Sequence, residues 1–384
     1  MHGIRQHGLA RSFYEECLDA SAALEALGYG LDTGWLLGVY PFGTRNPYLR
    51  ALYSAALEQG FACLPLKGLE QLNNVPKPLN VALHLHWIHR IYHGLETAKQ
   101  AAVAGADFLE LIQQQKDMGR PILWTIHNIM SHRSAFPEEE IALRARFAVL
   151  ADHIHIMNPG TVDLCAPHYE VPVDKTFSVP HPSYKGVYGD YISKPQARLS
   201  LGIGCADKVF LLFGELGTYK GTRQFLAAVD ALQTSVGGGA KVIVAGKAGE
   251  PAFMEDIFQL TAGRADVQLH LGHIDDQDVQ TFFRAADVAV CAHPSGLNSG
   301  VAAMAATFGR PAVMPHALTP TIAGPEGSVY GFDSDNMDTC VAACAAAYSA
   351  EQSASTEQGL FEWAEAHAPR KVSADFFSSL RARL

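Results

Sequence analysis

Val209-Phe210-Leu211-Leu212-Phe213-Gly214-Glu215-Leu216-Gly217-Thr218-Tyr219-Lys220-Gly221 decides how this chain is read. An apolar run ends at a glycine, the chain turns through a loop with one lysine, and a helical pattern resumes at Thr222. That order places backbone N–H groups and a cation at the carboxyl end of a strand, where open α/β sheets bind anions. Gly214 and Gly217 allow close backbone approach, Tyr219 flanks the turn, and Lys220 supplies a point charge suited to a diphosphate. The loop matches neither a Walker A sequence nor G-x-G-x-x-G, which argues against a P-loop NTPase and a dinucleotide site. The plain alternative is a glycine-rich turn with a solvated lysine.

Working outward, the second half repeats the same unit. Strands are expected at 209–213, 241–245, 267–271, 287–291 and 311–314, with helices between them. The first half alternates in the same way, with strands at 35–39, 81–85, 122–126 and 153–157 and a short one before Val179-Pro180-His181-Pro182. Strands alternating with helices of this length build parallel sheets. The pattern lapses in a polar Tyr/Gly/Pro stretch after Pro182, which is read as the domain boundary. The expected division is a helical extension over 1–32, a Rossmann-like domain over 33–190, a second over 191–354, and a helix over 355–384 crossing back to the first. The fold class is α/β, with two doubly wound domains facing across a cleft.

Length and composition fit this division, since 384 residues exceed what one core usually organises and 48% hydrophobic content is ordinary for a globular chain. A formal charge of −10, with no long Lys/Arg run, excludes nucleic acid as a partner on electrostatic grounds. Seven scattered cysteines include no C-x-x-C pair and read as thiols in a reducing compartment. There is no basic-then-apolar leader and no apolar run near the ~20 residues of a spanning helix. The expectation is a cytoplasmic protein, any membrane contact being peripheral and at the inner face.

Further candidates lie at the ends of other expected strands. His293 opens the loop Ala292-His293-Pro294-Ser295-Gly296-Leu297-Asn298-Ser299-Gly300, in which Asn298 is the expected helix cap and the N–H groups of Ser299, Gly300 and Val301 form a second anion site. In the first half, Trp124-Thr125-Ile126-His127-Asn128 ends a strand, with His132 and Arg133 beyond it. A histidine there suits hydrogen bonding to a sugar hydroxyl or sharing of a proton. Leu83-His84-Leu85-His86-Trp87 ends the strand before, with His86 and Trp87 read as cleft wall and His84 as sheet packing. No carboxylate or cysteine completes a ligand set nearby, so no metal is assigned. Arg45, Asn46 and Tyr48 follow the first strand; they either line the cleft or begin the helix at Pro47.

Together these segments resemble the GT-B glycosyltransferases, specifically the family 4-like group of bacterial exopolysaccharide and cell-surface glycan pathways. The resemblance rests on the order Asn46-Pro47-Tyr48, His84-Leu85-His86-Trp87, Thr125-Ile126-His127-Asn128 with His132, Pro180-His181-Pro182, Tyr219-Lys220-Gly221, Ala245-Gly246-Lys247, and Ser299-Gly300 with Gly309-Arg310-Pro311. It implies a hexosyltransferase-type enzyme whose nucleoside diphosphate sugar is a substrate, with no cofactor and no obligatory metal. Transfer would run to a saccharide or lipid-linked saccharide acceptor. Lys220 is then the diphosphate contact, His127 the contact to the transferred sugar or a nearby phosphate, and Lys247, His293, Asn298, Ser299 and Gly300 lie with the donor.

Two departures qualify the resemblance. Family 4 members commonly carry two glutamates before the Gly-x-Pro turn, where this chain has Gly296 and Met304. The arginine that often accompanies the lysine is also missing, with Glu215 at one frequent position and Arg223, Lys247 or Arg310 as substitutes. Retention or inversion therefore stays open, as does the base, for which His127, His132 and Glu138-Glu139-Glu140 compete. The triplet also reads simply as a first helical turn. A non-catalytic GT-B subunit that binds a nucleotide or glycan is the rival reading, and a sugar-nucleotide 2-epimerase a weaker one.

Overall fold

A computed structural model describes residues 12–42, 47–76, 79–131, 133–324, 326–351 and 354–384. The chain forms two compact units. One takes in the chain to Ile156, together with Cys165–Val179 and Ser373–Leu384; the other comprises Met157–Leu164 and Pro180–Val372.

The first unit is built on six parallel strands: β1 (Trp35–Tyr40), β2 (Phe61–Pro65), β3 (Asn80–Leu85), β4 (Ile122–Thr125), β5 (His153–Ile156) and β6 (Thr176–Ser178), in the order β2-β1-β3-β4-β5-β6. Its register pairs Leu85 with Trp124 and Thr125 with His155. Side chains alternate along a strand, so His84, His86, Thr125, His127 and His155 emerge on one face at the carboxyl end. Phe376, from the helix Pro369–Arg381, covers that face, stacking on His84 at 5.5 Å between centroids. The helix Phe13–Glu25 starts with a capping box between Ser12 and Glu15 and buries Cys17 and Leu24.

The second unit has β7 (Lys208–Phe213), β8 (Ala240–Gly246), β9 (Val267–Leu271), β10 (Val288–Val290), β11 (Ala312–Pro315) and β12 (Val329–Phe332), all parallel, in the order β12-β11-β10-β7-β8-β9. Alternation along β7 sends Val209 and Leu211 into one core and Phe210 and Leu212 into the other, one on each face of the sheet. At the amino ends of the strands, Asp287 accepts both Arg198 Nη2 contacts, at 2.8 and 2.9 Å, and the Val209 N–H at 2.7 Å. This buried ion pair ties the start of β7 to the start of β10. The segment after Val179 is already held by this unit, with Ser183 N–H donating to the His367 carbonyl at 2.8 Å and Tyr184 N–H to Thr307 Oγ1 at 2.9 Å.

Each sheet has six strands where the sequence pattern shows five. The additions, β2 and β12, are both edge strands. β2 is a short apolar run that follows directly on the helical stretch before it, and β12 is interrupted by Gly331. The helix expected to begin at Pro47 is short, ending at Leu52 before a single 3-10 turn at Leu57–Gln59 leads into β2. Among the described residues no helix is long and apolar enough to cross a membrane.

Candidate functional site

In the second unit the chain leaves β7 towards β8 and leaves β10 towards β11, on opposite sides of the sheet. That reversal opens a crevice at the carboxyl ends of the two strands, the usual ligand position in such sheets. A pocket lies there, lined by Gly214, Lys220, Thr222, Cys291, His293 and Val301 among others. The loop after β7 is held by its backbone: Gly214 N–H donates to the Ala245 carbonyl at 2.9 Å and Leu216 N–H to that of Lys247 at 2.8 Å. Gly217 then leads into the 3-10 turn Thr218–Lys220, which ends at Gly221 with φ 69°. A Cβ on Gly221 would lie 2.0 Å from the Ala292 carbonyl oxygen. Only glycine lets this loop close against the end of β10.

The turn aims Lys220 into the pocket, where its ammonium sits 5.4 Å from the centroid of the Tyr219 ring. Burial lowers the lysine below its ordinary value, while the Cys291 thiol and the Glu215 carboxylate pull the other way. No ion pair to Lys220 occurs among the described residues, so a desolvated cation stands at the switch point. The candidate accompanying cations separate clearly. Arg310 is buried against Glu357 and the Phe308 carbonyl, and Arg223 pairs with Asp256 at 3.3 Å. Lys247 is exposed, and its carbonyl already anchors the loop.

The loop after β10 brings His293 and Asn298 to the same end of the sheet. Ser299, not Asn298, caps the following helix Gly300–Thr307: it has the extended geometry a cap requires and accepts the Ala302 N–H at 3.3 Å. Asn298 is thereby freed. Both its amide nitrogen and its amide oxygen are buried with no hydrogen-bond partner among the described residues, an arrangement that costs stability unless a ligand completes it. Asn158 braces the loop by donating to the Leu297 and Ala317 carbonyls, each at 2.9 Å. Beside Gly300 lie Tyr184 Oη and His181 Nε2, 3.0 and 4.0 Å from where a Cβ would stand. Burial pushes His181 down to about 4, and its Nδ1 bonds the Pro182 carbonyl at 2.7 Å. Gly296 lies beside the His293 ring and Met304 is buried in the core, so neither position offers a charge.

The first unit gathers its candidates around His127. Trp87 stacks on the ring at 4.4 Å between centroids and 17° between planes, and buried Tyr48 meets it edge-on at 5.2 Å. His86 Nδ1 bonds His127 Nε2 at 2.9 Å. His86 itself is buried, so it reaches the site through His127 rather than as a wall. The loop beyond is fixed from below: Glu140 Oε1 accepts the Ser131 N–H at 2.7 Å and Arg144 Nη2 at 2.8 Å, while Arg144 Nη1 donates to the Asn128 carbonyl at 3.0 Å. Burial pushes the Glu140 carboxyl up, but the Arg144 charge and hydrogen bonds from Ser134, Arg144 and Ser131 outweigh it and hold it below the usual range. Glu140 therefore supports the loop and is not placed as a base; Glu138 and Glu139 fill the first turn of Pro137–Leu150.

Arg45, Asn46 and His132 lie outside the described residues. Among the described residues no group of three or more His, Cys, Asp or Glu side chains is placed to hold a metal. Sequence reasoning did not single out Asn158 or Tyr184, and nothing in the linear pattern marks them. Tyr53 and His155, which continue the contacts below His127, were also missed. Alternating histidines at the ends of adjacent strands were the available signal for His155.

Two doubly wound parallel sheets in series define the α/β fold of the GT-B class, and comparison with solved structures gives the same result. Sucrose-phosphate synthase from Thermosynechococcus elongatus matches with a TM-score of 0.67 at 14% identity, over 91% of this chain and 98% of that one. Anabaena Alr3699/HepE in complex with UDP and glucose matches with 0.63 at 14% identity, over 91% and 100%. The same Anabaena protein has also been solved with UDP-glucose. A glycosyltransferase from Rickettsia africae ESF-5 matches with 0.58 at 8% identity, over 91% and 97%. No family model and no curated protein sequence matches the chain.

Proposed function

We propose that this protein is a glycosyltransferase that moves a hexose from a nucleoside diphosphate sugar to a saccharide or lipid-linked saccharide acceptor. The second unit holds the donor and the first unit the acceptor side. The observation that carries the reading is the desolvated Lys220 in the pocket at the switch point of a Rossmann-like sheet, with the unsatisfied amide of Asn298 in the loop after β10. A cation, buried amide groups and the start of the helix Gly300–Thr307 form a set suited to a diphosphate with an attached sugar. The lysine and the helix start supply the charge stabilisation that a departing diphosphate needs, so the reaction requires no metal.

Uridine is the first donor base to test, because a structural neighbour was crystallised with UDP and UDP-glucose. His127, held by Trp87 and Tyr48, is the first unit's contact to the transferred sugar or acceptor hydroxyl. Arg45, Asn46, Asn128 and His132 complete that side. The family 4-like grouping and a role in exopolysaccharide or cell-surface glycan assembly belong to the same proposal.

A panel of nucleoside diphosphates screened by thermal stabilisation, followed by the corresponding sugars assayed for hydrolysis and transfer, tests the reading. Stabilisation by at least one nucleoside diphosphate and turnover of its sugar are expected; no stabilisation by any of them refutes it. Gly296 and Met304, at positions where carboxylates would stand, favour a second reading in which the protein binds donor without turning it over. Retained binding with no hydrolysis or transfer would select it.

A further inference from the structure

Seven groups of the first unit form one unbroken chain of hydrogen bonds. It runs from His127 Nε2 to His86 Nδ1 at 2.9 Å, from His86 Nε2 to the Tyr53 hydroxyl at 2.6 Å, and from Tyr53 to His84 Nδ1 at 2.8 Å. It continues from His84 Nε2 to Thr125 Oγ1 at 2.7 Å, from Thr125 to His155 Nδ1 at 3.0 Å, and ends from His155 Nε2 to the Val179 carbonyl at 3.0 Å. Every member between the two ends is buried or half-buried, and the rings pack against Phe376 and Phe177.

A carbonyl can only accept, so the far end dictates the hydrogens. His155 must carry its hydrogen on Nε2, and a neutral ring then presents a lone pair at Nδ1. Thr125 therefore donates to His155 and accepts from His84 Nε2–H. The Tyr53 hydroxyl has one hydrogen, which goes to His84 Nδ1, leaving its oxygen to accept from His86 Nε2–H. His86 Nδ1 then accepts from His127 Nε2–H. Burial holds His84 and His86 well below the ordinary histidine value and Tyr53 well above the ordinary phenol value, so each of the three carries a single hydrogen to place. Neutral rings leave one solution, with every hydrogen pointing away from His127 and towards Val179.

We infer that this chain, with Tyr53 as its central reversing group, fixes a hydrogen on His127 Nε2 and commits it to His86 Nδ1, so that the ring is held in one orientation and this N–H is not offered to a ligand phosphate. Tyr53, His84, Thr125 and His155 are positioning residues in this scheme; only His127 meets the ligand. The inference rests on the reading of His127 as the ligand-facing side chain. The opposite tautomer would turn every hydrogen round and leave the His155 Nε2 lone pair against a carbonyl oxygen, a buried unmade bond. The chain cannot carry a proton away from His127, because a chain that ends on a carbonyl has no outlet for it.

Nitrogen-15 labelled histidine in the ligand-free, full-length protein gives a direct test. The ring signals of His127 are assigned by their loss in His127→Gln. The expected spectrum shows a hydrogen bonded directly to His127 Nε2, with scalar coupling across the hydrogen bond to His86 Nδ1. A hydrogen bonded to His86 Nδ1, or an unprotonated His127 Nε2, overturns the inference whatever the activity of the protein. In Tyr53→Phe the hydrogen should become shared between His127 and His86, and kcat should fall about tenfold or more at near-constant donor KM. An unchanged tautomer signal in a folded Tyr53→Phe variant also overturns it. The reading of His127 fails separately, if His127→Gln keeps wild-type kcat while the wild-type tautomer is as stated.

Discussion

Replacing Lys220 with methionine separates a binding role from a structural one, because the two effects carry opposite signs. The side chain is half-buried, its value is lowered first by that burial, and no ion pair to it occurs among the described residues. Without ligand the charge is a liability, so Lys220→Met, which keeps the apolar stem, should raise the stability of the ligand-free protein by about 1 kcal/mol. The lysine's folded value lies below its unfolded value of 10.5, so the wild-type penalty is present at neutral pH and fades as pH rises through the folded value towards 10.5. With ligand the sign reverses. Loss of a charge-assisted hydrogen bond to a diphosphate costs roughly 1.5 to 3 kcal/mol, which weakens binding by about 10- to 160-fold. Urea unfolding without ligand and calorimetric titration with UDP measure the two halves. A variant that is less stable than wild type and binds UDP equally well would refute the reasoning.

Three further outcomes follow from named contacts. His127→Asn should lower transfer by on the order of 10²-fold or more with UDP affinity within about twofold, since the ring belongs to the first unit; equal transfer rates in a steady-state assay would count against it. Gly221→Ala should destabilise the protein by about 2 kcal/mol or more and weaken nucleotide binding, because φ is 69° and the new Cβ would lie 2.0 Å from the Ala292 oxygen; chemical unfolding and the UDP titration would show it. Acidification should lower stability. His181 is held at about 4, and His84 and His86 are held well below their unfolded value of 6.5, all through burial, so the unfolded chain binds more protons below 6.5. Stability is then full above about pH 6.5 and falls towards the folded values, at about 1.4 kcal/mol for His181 between pH 7.5 and 5.5; a flat unfolding free energy over that range would contradict it.

The two-sheet architecture was legible because its marks are local. Apolar runs of strand length, helical spacing between them, and glycines at strand ends each announce themselves within a few residues. Lys220 and His127 were legible for the same reason, since each directly follows a run that ends at a turn. The edge strands β2 and β12 were not, because Phe61–Pro65 follows directly on a helical stretch and ends at a proline, while Gly331 interrupts Val329–Phe332.

The side-chain partnerships were decided in three dimensions. Asn298 and Ser299 both have cap-forming side chains, and only the start of the helix at Gly300 assigns the cap to Ser299 and leaves the Asn298 amide unsatisfied. Arg310 reads as a possible ligand cation until Glu357 is found against it. His84 reads as sheet packing and His86 as cleft wall, and the register of β3, β4 and β5 joins them with His155 through Thr125 and Tyr53 into one chain ending at His127. Turn chemistry and periodicity act over a few residues and can be read from the amino-acid sequence. Which polar groups are buried together depends on strand register and on distant segments such as the helix Pro369–Arg381, and that is settled only when the chain has folded.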